Sequence, residues 1–223
     1  MQLFPRSLNK LPMMVAGVLG IVGAAVTGGA WYYLTPKNFQ VGYAPVQPVP
    51  YSHRLHAGQM GMDCRYCHAN VERSAHAQIP PTQTCVGCHA LVKSDSPRLA
   101  NIKKSWDTGT PVEWVKIHKL PDHAYFNHSV HLNAGGADKN TAIGCATCHG
   151  RVDQMEIVRQ DQPLSMGWCL ECHRDPKPNL RPRDQITNME WRPDMAKNWT
   201  PADVHPPQHC SGSIYRAMNG GNR

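Results

Sequence analysis

One pentapeptide pattern occurs four times in this chain: Cys64-Arg-Tyr-Cys67-His68, Cys85-Val-Gly-Cys88-His89, Cys145-Ala-Thr-Cys148-His149 and Cys169-Leu-Glu-Cys172-His173. It takes eight of the nine cysteines in 223 residues. Chance placement at this composition gives only about 0.02 copies. On a helical turn, positions i, i+3 and i+4 share one face. Two thiols and an imidazole of each copy therefore point the same way. This is the c-type haem attachment signature. Two thioethers fix the porphyrin edge, and the histidine is carried beneath the iron as an axial ligand. Structural zinc is the plainer reading of paired cysteines. A zinc ribbon needs two Cys pairs per metal and no histidine directly after each pair. Four such histidines out of four favour haem over zinc or disulfides.

The rest of the composition agrees. Only three Phe serve the whole chain, with 19 Pro and 18 Gly. A core of side chains alone would be thin, and buried porphyrins would supply the missing apolar surface. The formal charge is +7. Four ferric haems with ionised propionates bring about −4, so the basic excess mostly neutralises propionates. No basic run with interleaved aromatics marks a nucleic-acid partner.

The run LPMMVAGVLGIVGAAVTGGAWYYL, Leu11 to Leu34, carries no charge and is long enough to cross a bilayer as a helix. Arg6 and Lys10 precede it, which puts the N-terminus in the cytoplasm. Trp31, Tyr32 and Tyr33 form an aromatic belt at the outer interface. A cleaved signal peptide is the rival, but its apolar region runs only about 7–15 residues. We read a retained anchor over 1–34, with the cysteines beyond the cytoplasm. Residues 35–50, with four prolines, read as an extended tether.

An internal repeat follows. Tyr51-Ser-His53-Arg-Leu-His56 precedes the first two motifs, and Phe126-Asn-His128-Ser-Val-His131 precedes the last two. The order aromatic-x-His-x-x-His, motif, motif suggests a duplicated two-haem module, 51–125 and 126–173. Each low-spin haem needs a second axial ligand. His53, His56, His128 and His131 supply four. His76, His118, His123, Met155 and Met166 are spare candidate ligands, with core packing the ordinary role of the methionines.

Outside the motifs we expect short helical turns and much irregular chain, with few strands; EWVKIHKL and QMEIVRQ are candidates for those. The Pro-rich segment 174–223 is expected to wrap the domain, lie on a partner or form a solvated tail. It holds Cys210 in CSGS, an attachment motif without its second cysteine. A decayed site, a fifth haem held by one thioether and a free thiol are three readings of those residues.

The ordered set YSHRLHAGQMGMDCRYCHANVERSAHAQIPPTQTCVGCH, WVKIHKLPDHAYFNHSVH, CATCHGRVDQ and LSMGWCLECHR resembles the membrane-anchored multihaem cytochrome c subunit of bacterial alternative complex III. The likeness covers about residues 50–175 and the anchor. It implies a single-pass protein of the bacterial inner membrane with a periplasmic haem domain: short helices and irregular chain around stacked haems. It implies electron transfer within a quinol oxidoreductase of a respiratory or photosynthetic chain. The partners implied are an iron-sulfur subunit, a monohaem cytochrome and integral membrane subunits, with a soluble periplasmic cytochrome or copper protein as acceptor. Family members usually carry five motifs. A fifth haem here would be tethered by Cys210, with some of His76, His118, His123 and Met155 as ligands.

Two other functions compete. A stand-alone tetrahaem quinol dehydrogenase of the NapC/NrfH kind shares the anchor and the motif number. A catalytic multihaem reductase needs an open iron position, and the plentiful histidines argue against one.

Overall fold

A computed structural model describes residues 5–35, 38, 40–135, 140–196 and 198–201. Cys210, with His205 and His209, lies outside the described residues. The chain divides into two units, Met1–Gln40 and Val41–Arg223.

The first unit is built on helix α1, Leu11–Tyr33. Pro12 sits in its first turn, where a missing N–H breaks no helical bond. At 1.5 Å per residue the helix is about 34 Å long, enough for a hydrocarbon core of about 30 Å. None of its side chains is buried. It is long and apolar enough to cross a membrane.

The second unit is mostly irregular chain punctuated by short helices. These are a π-helical turn Arg54–Gln59, α2 (Cys64–Cys67), α3 (Thr82–His89), α4 (Ala100–Thr108), α5 (His128–Leu132), α6 (Cys145–His149) and α7 (Met166–Arg174). Side-chain caps fix several starts. Asp63 accepts from the Arg65 amide, Asn127 from Ser129 and Ser165 from Trp168. Such caps satisfy amides that a first turn leaves open. One two-stranded antiparallel sheet joins β1 (Ala142–Ile143) to β2 (Leu180–Arg181), with Ala142 opposite Arg181 and Ile143 opposite Leu180.

The strands thus lie elsewhere than EWVKIHKL and QMEIVRQ, which form no ladder. Side-chain amides take a strand partner's place there. Gln47 donates from Nε2 to the Val115 carbonyl at 2.9 Å and accepts the Val115 amide on Oε1 at 3.0 Å. The Lys119 amide donates to Gln160 Oε1. The distal part of the Pro-rich stretch is also docked. Gly42 and Tyr43 exchange backbone bonds with Gln160, and Val49 is buried.

Segment 174–196 is not a solvated tail. It supplies Leu180 and Ile186, each 1% exposed, and buried Trp191. The Cys145 amide donates to the Ile186 carbonyl. The Arg181 guanidinium lies 4.9 Å from the Trp191 ring and occupies the space a Cβ at Gly144 would need. The chain's return therefore braces the third motif at its first residue. Leu132, Ala142 and Ile186 form the central apolar cluster, with Val71 packed on it. Among the described residues only ten apolar side chains are buried, few for a domain of this length.

The two repeats interlock. Arg54 donates its amide to the Met155 carbonyl, and Ser52 Oγ donates to Glu156 at 2.7 Å. Gly58 lies so close to the Asp153 carbonyl that a Cβ there would overlap it. In return, His128 and Ser129 donate amides to Ala75 and Ser74. The stretch before each repeat's first motif thus packs on the stretch beside the other repeat's first motif.

A paired array of histidines and cysteines

Each motif lies on its own helical turn: α2 and the start of its C-cap, the end of α3, α6, and the second half of α7. The upstream histidines come from the π-helical turn, capped by His53 and containing His56, and from α5, which carries His128 and His131.

The repeat is reproduced in three dimensions. Tyr51 meets His53 edge-on at 4.7 Å and 85°, and stacks on His56 at 4.5 Å and 22°. Phe126 meets His128 at 4.8 Å and 89°, and stacks on His131 at 4.5 Å and 27°. One aromatic ring wedges each histidine pair and fixes both imidazole planes. The second histidine of each pair also bonds through Nδ1 to the carbonyl four residues back, His56 to Ser52 at 2.9 Å and His131 to Asn127 at 2.8 Å.

Three of the four upstream histidines face a motif histidine. Ring centroids are 6.1 Å apart for His56 and His89, 6.4 Å for His128 and His149, and 6.1 Å for His131 and His173. A metal–imidazole bond of about 2 Å on each side places two trans imidazole centroids roughly 6 Å apart. His53 lies near His68: burial pushes the His53 imidazolium down to about 4, with the charges of His68 and then His56 adding to it. Burial likewise pushes His149 down to about 3, helped by His118, His128, His68 and His53. Burial lowers His131 as well. Neutral rings keep a lone pair for a metal.

The tautomers suit iron. His68 Nδ1 lies 2.7 Å from the Gln78 carbonyl, His89 Nδ1 2.9 Å from Val92, and His128 Nδ1 2.7 Å from Ala75. A carbonyl only accepts, so these Nδ1 atoms carry the proton and Nε2 holds the lone pair. This is the usual outer support of a ligating imidazole. His149 differs, since its Nδ1 lies 3.2 Å from His118 Nε2.

No disulfide joins the eight described cysteines. Burial raises the Cys148 thiol to about 12, and burial also raises Cys67, Cys85 and Cys172. Cys145 is raised by its hydrogen bond with Cys64 and by burial. Cys64 is instead lowered, first by its hydrogen bond with Cys145. Among the described residues, no three His, Cys, Asp or Glu converge as a metal cluster. The motif cysteines, with the facing histidines, make a donor set that c-type haem would fit.

The spare candidates separate. His76 and His123 stand exposed on loops, Met166 opens α7 and is exposed, and Met155 is buried with the core side chains. Only His118 is brought against a motif. Asp161 is a neighbour that sequence reasoning missed. Its carboxylate occupies the space of a Cβ at Gly150, whose φ is +66°. The glycine directly after Cys145-Ala-Thr-Cys148-His149 was the available signal, because it lets a side chain press on the motif's end.

No family model matches the chain. It is 31% identical over 104 residues to the multiheme cytochrome c subunit of menaquinone reductase from Nitratidesulfovibrio vulgaris. The aligned part covers 46% of this chain and 45% of that protein, so the chain spans about half the length of the curated relative it matches. Over that part, a chain with four Cys-x-x-Cys-His motifs and three facing histidine pairs is similar to a multihaem cytochrome c subunit.

Proposed function

We propose that this chain is a membrane-anchored electron-transfer subunit carrying four c-type haems within a membrane quinone oxidoreductase complex. The three imidazole pairs at 6.1–6.4 Å carry the reading. Cys64 and Cys67 hold the first haem between His68 and His53, and Cys85 and Cys88 the second between His89 and His56. Cys145 and Cys148 hold the third between His149 and His128, and Cys169 and Cys172 the fourth between His173 and His131. The repeat supports the His53–His68 assignment, because His128 serves the first motif of its own unit. When bound, c-type haem supplies reversible one-electron exchange without a substrate pocket.

The chain also orders its motifs. Cys67 and Cys85 lie close enough for their charges to interact, Cys64 is hydrogen-bonded to Cys145, and Cys148 interacts with Cys172. The motifs follow one another as second, first, third, fourth. The contact between Cys64 and Cys145 supports the first and third as neighbours in that order.

Among membrane quinone oxidoreductases we favour the alternative complex III kind, with the N-terminus cytoplasmic and the haem domain periplasmic. The relative's printed role in menaquinone reductase supports a quinone complex. The test is mixing with a menaquinol analogue under anaerobic conditions. The full chain isolated in detergent should stay oxidised, and membranes containing its complex should show rapid reduction of its haems. Direct reduction of the isolated chain would favour the NapC/NrfH kind. No reduction in either preparation would contradict a quinol-linked role.

A further inference from the structure

The structure assigns His118 and Asp161 a role as positioning residues that hold the third motif's axial histidine in its most basic form and lower that haem's potential below what a carbonyl partner would set. The inference rests on the haem reading above and concerns one centre of four. His68, His89, His128, His56 and His131 give Nδ1 to backbone carbonyls. His149 instead gives Nδ1 to a side chain, His118 Nε2, at 3.2 Å with the rings at 85°.

With the metal on His149 Nε2, the proton on His149 Nδ1 donates, and His118 Nε2 must be the unprotonated acceptor. Asp161 sits beside both. It presses on Gly150, next to His149, and its negative charge reaches His118. The Asp161 carboxylate is itself held by Gln162 Nε2 at 2.8 Å. An outer-shell acceptor raises the basicity of a ligating imidazole and orients its ring. A more basic ligand stabilises ferric over ferrous iron, so the potential falls. The charge of Asp161 acts in the same direction.

The experiment is a redox titration of the intact full-length protein, read optically and by low-temperature EPR, for wild type, His118→Ala, His118→Gln and Asp161→Asn. In His118→Ala one of the four potentials should rise by about 59 mV, a tenfold fall in that centre's oxidised-to-reduced ratio at fixed ambient potential for a one-electron couple. One low-spin EPR species should change its g-values, and the other three should hold. His118→Gln offers a carbonyl oxygen to the same proton and should return the potential toward wild type. Asp161→Asn keeps the side chain's size and should move the same centre upward by less.

Four unshifted potentials in both His118→Ala and Asp161→Asn would overturn the assignment. So would a five-coordinate high-spin centre in His118→Ala, which would make His118 an axial ligand itself. A wild-type protein with no haem absorption would instead defeat the haem reading on which the assignment rests.

Discussion

Replacing His131 with alanine should remove one low-spin haem signal, and replacing His173 should remove the same one. The two rings lie 6.1 Å apart, on α5 and α7, 42 positions apart in the chain. Loss of either leaves iron with one strong axial ligand, so the centre becomes high-spin or takes a weak replacement. About a quarter of the low-spin intensity should disappear in each single variant, and the double variant should lose no more. His131→Ala combined with His89→Ala should lose about half, because His89 pairs with His56. EPR and magnetic circular dichroism read these amounts directly. Different signals lost from His131→Ala and His173→Ala would break the pairing.

The haem-free polypeptide should not hold this fold. Full-length protein made without haem attachment should show weak far-UV dichroism, fast proteolysis of 41–201 and no cooperative melting. The matured protein should melt cooperatively. The ten buried apolar side chains are scattered over 49–191. The sheet has two residues per strand, and α2, α5 and α6 have only four or five residues each. Helices this short do not persist alone in water. Among the described residues, nine imidazoles and seven thiols in partly buried positions bring polar surface inward that metal and thioether bonding would satisfy. A cooperatively folded haem-free protein would show that the side chains suffice.

Much of the site was legible in the sequence. The spacing of each Cys-x-x-Cys-His put it on a helical turn, and each does lie on one. The duplicated aromatic-x-His-x-x-His became two wedges with closely similar ring distances and angles, on a π-helical turn in one repeat and on α5 in the other. Which histidine faces which motif was not legible, since the partners lie 15 to 42 positions apart and irregular chain sets the approach.

For a related reason, the residues of the Pro-rich segment left wrapping, a partner contact and a solvated tail all open. Leu180, Ile186 and Trp191 stand singly among prolines and charges, with no helical or strand period to announce burial. A ladder of two residues and one backbone bond to Cys145 place them. EWVKIHKL has strand-like alternation at best in part. Gln47 and Gln160 side chains meet its backbone, a pairing that no local pattern encodes. His118 looked like a spare ligand because its partner, His149, comes 31 positions later.

The most direct test of the central claim is the intact mass of the exported full-length protein, taken with its absorption spectrum. Thioether attachment at the four motifs adds about 616 Da per haem, so four increments and a six-coordinate low-spin Soret band are expected, with a fifth increment only if Cys210 also holds one. A colourless protein with the mass of the bare polypeptide would contradict the account.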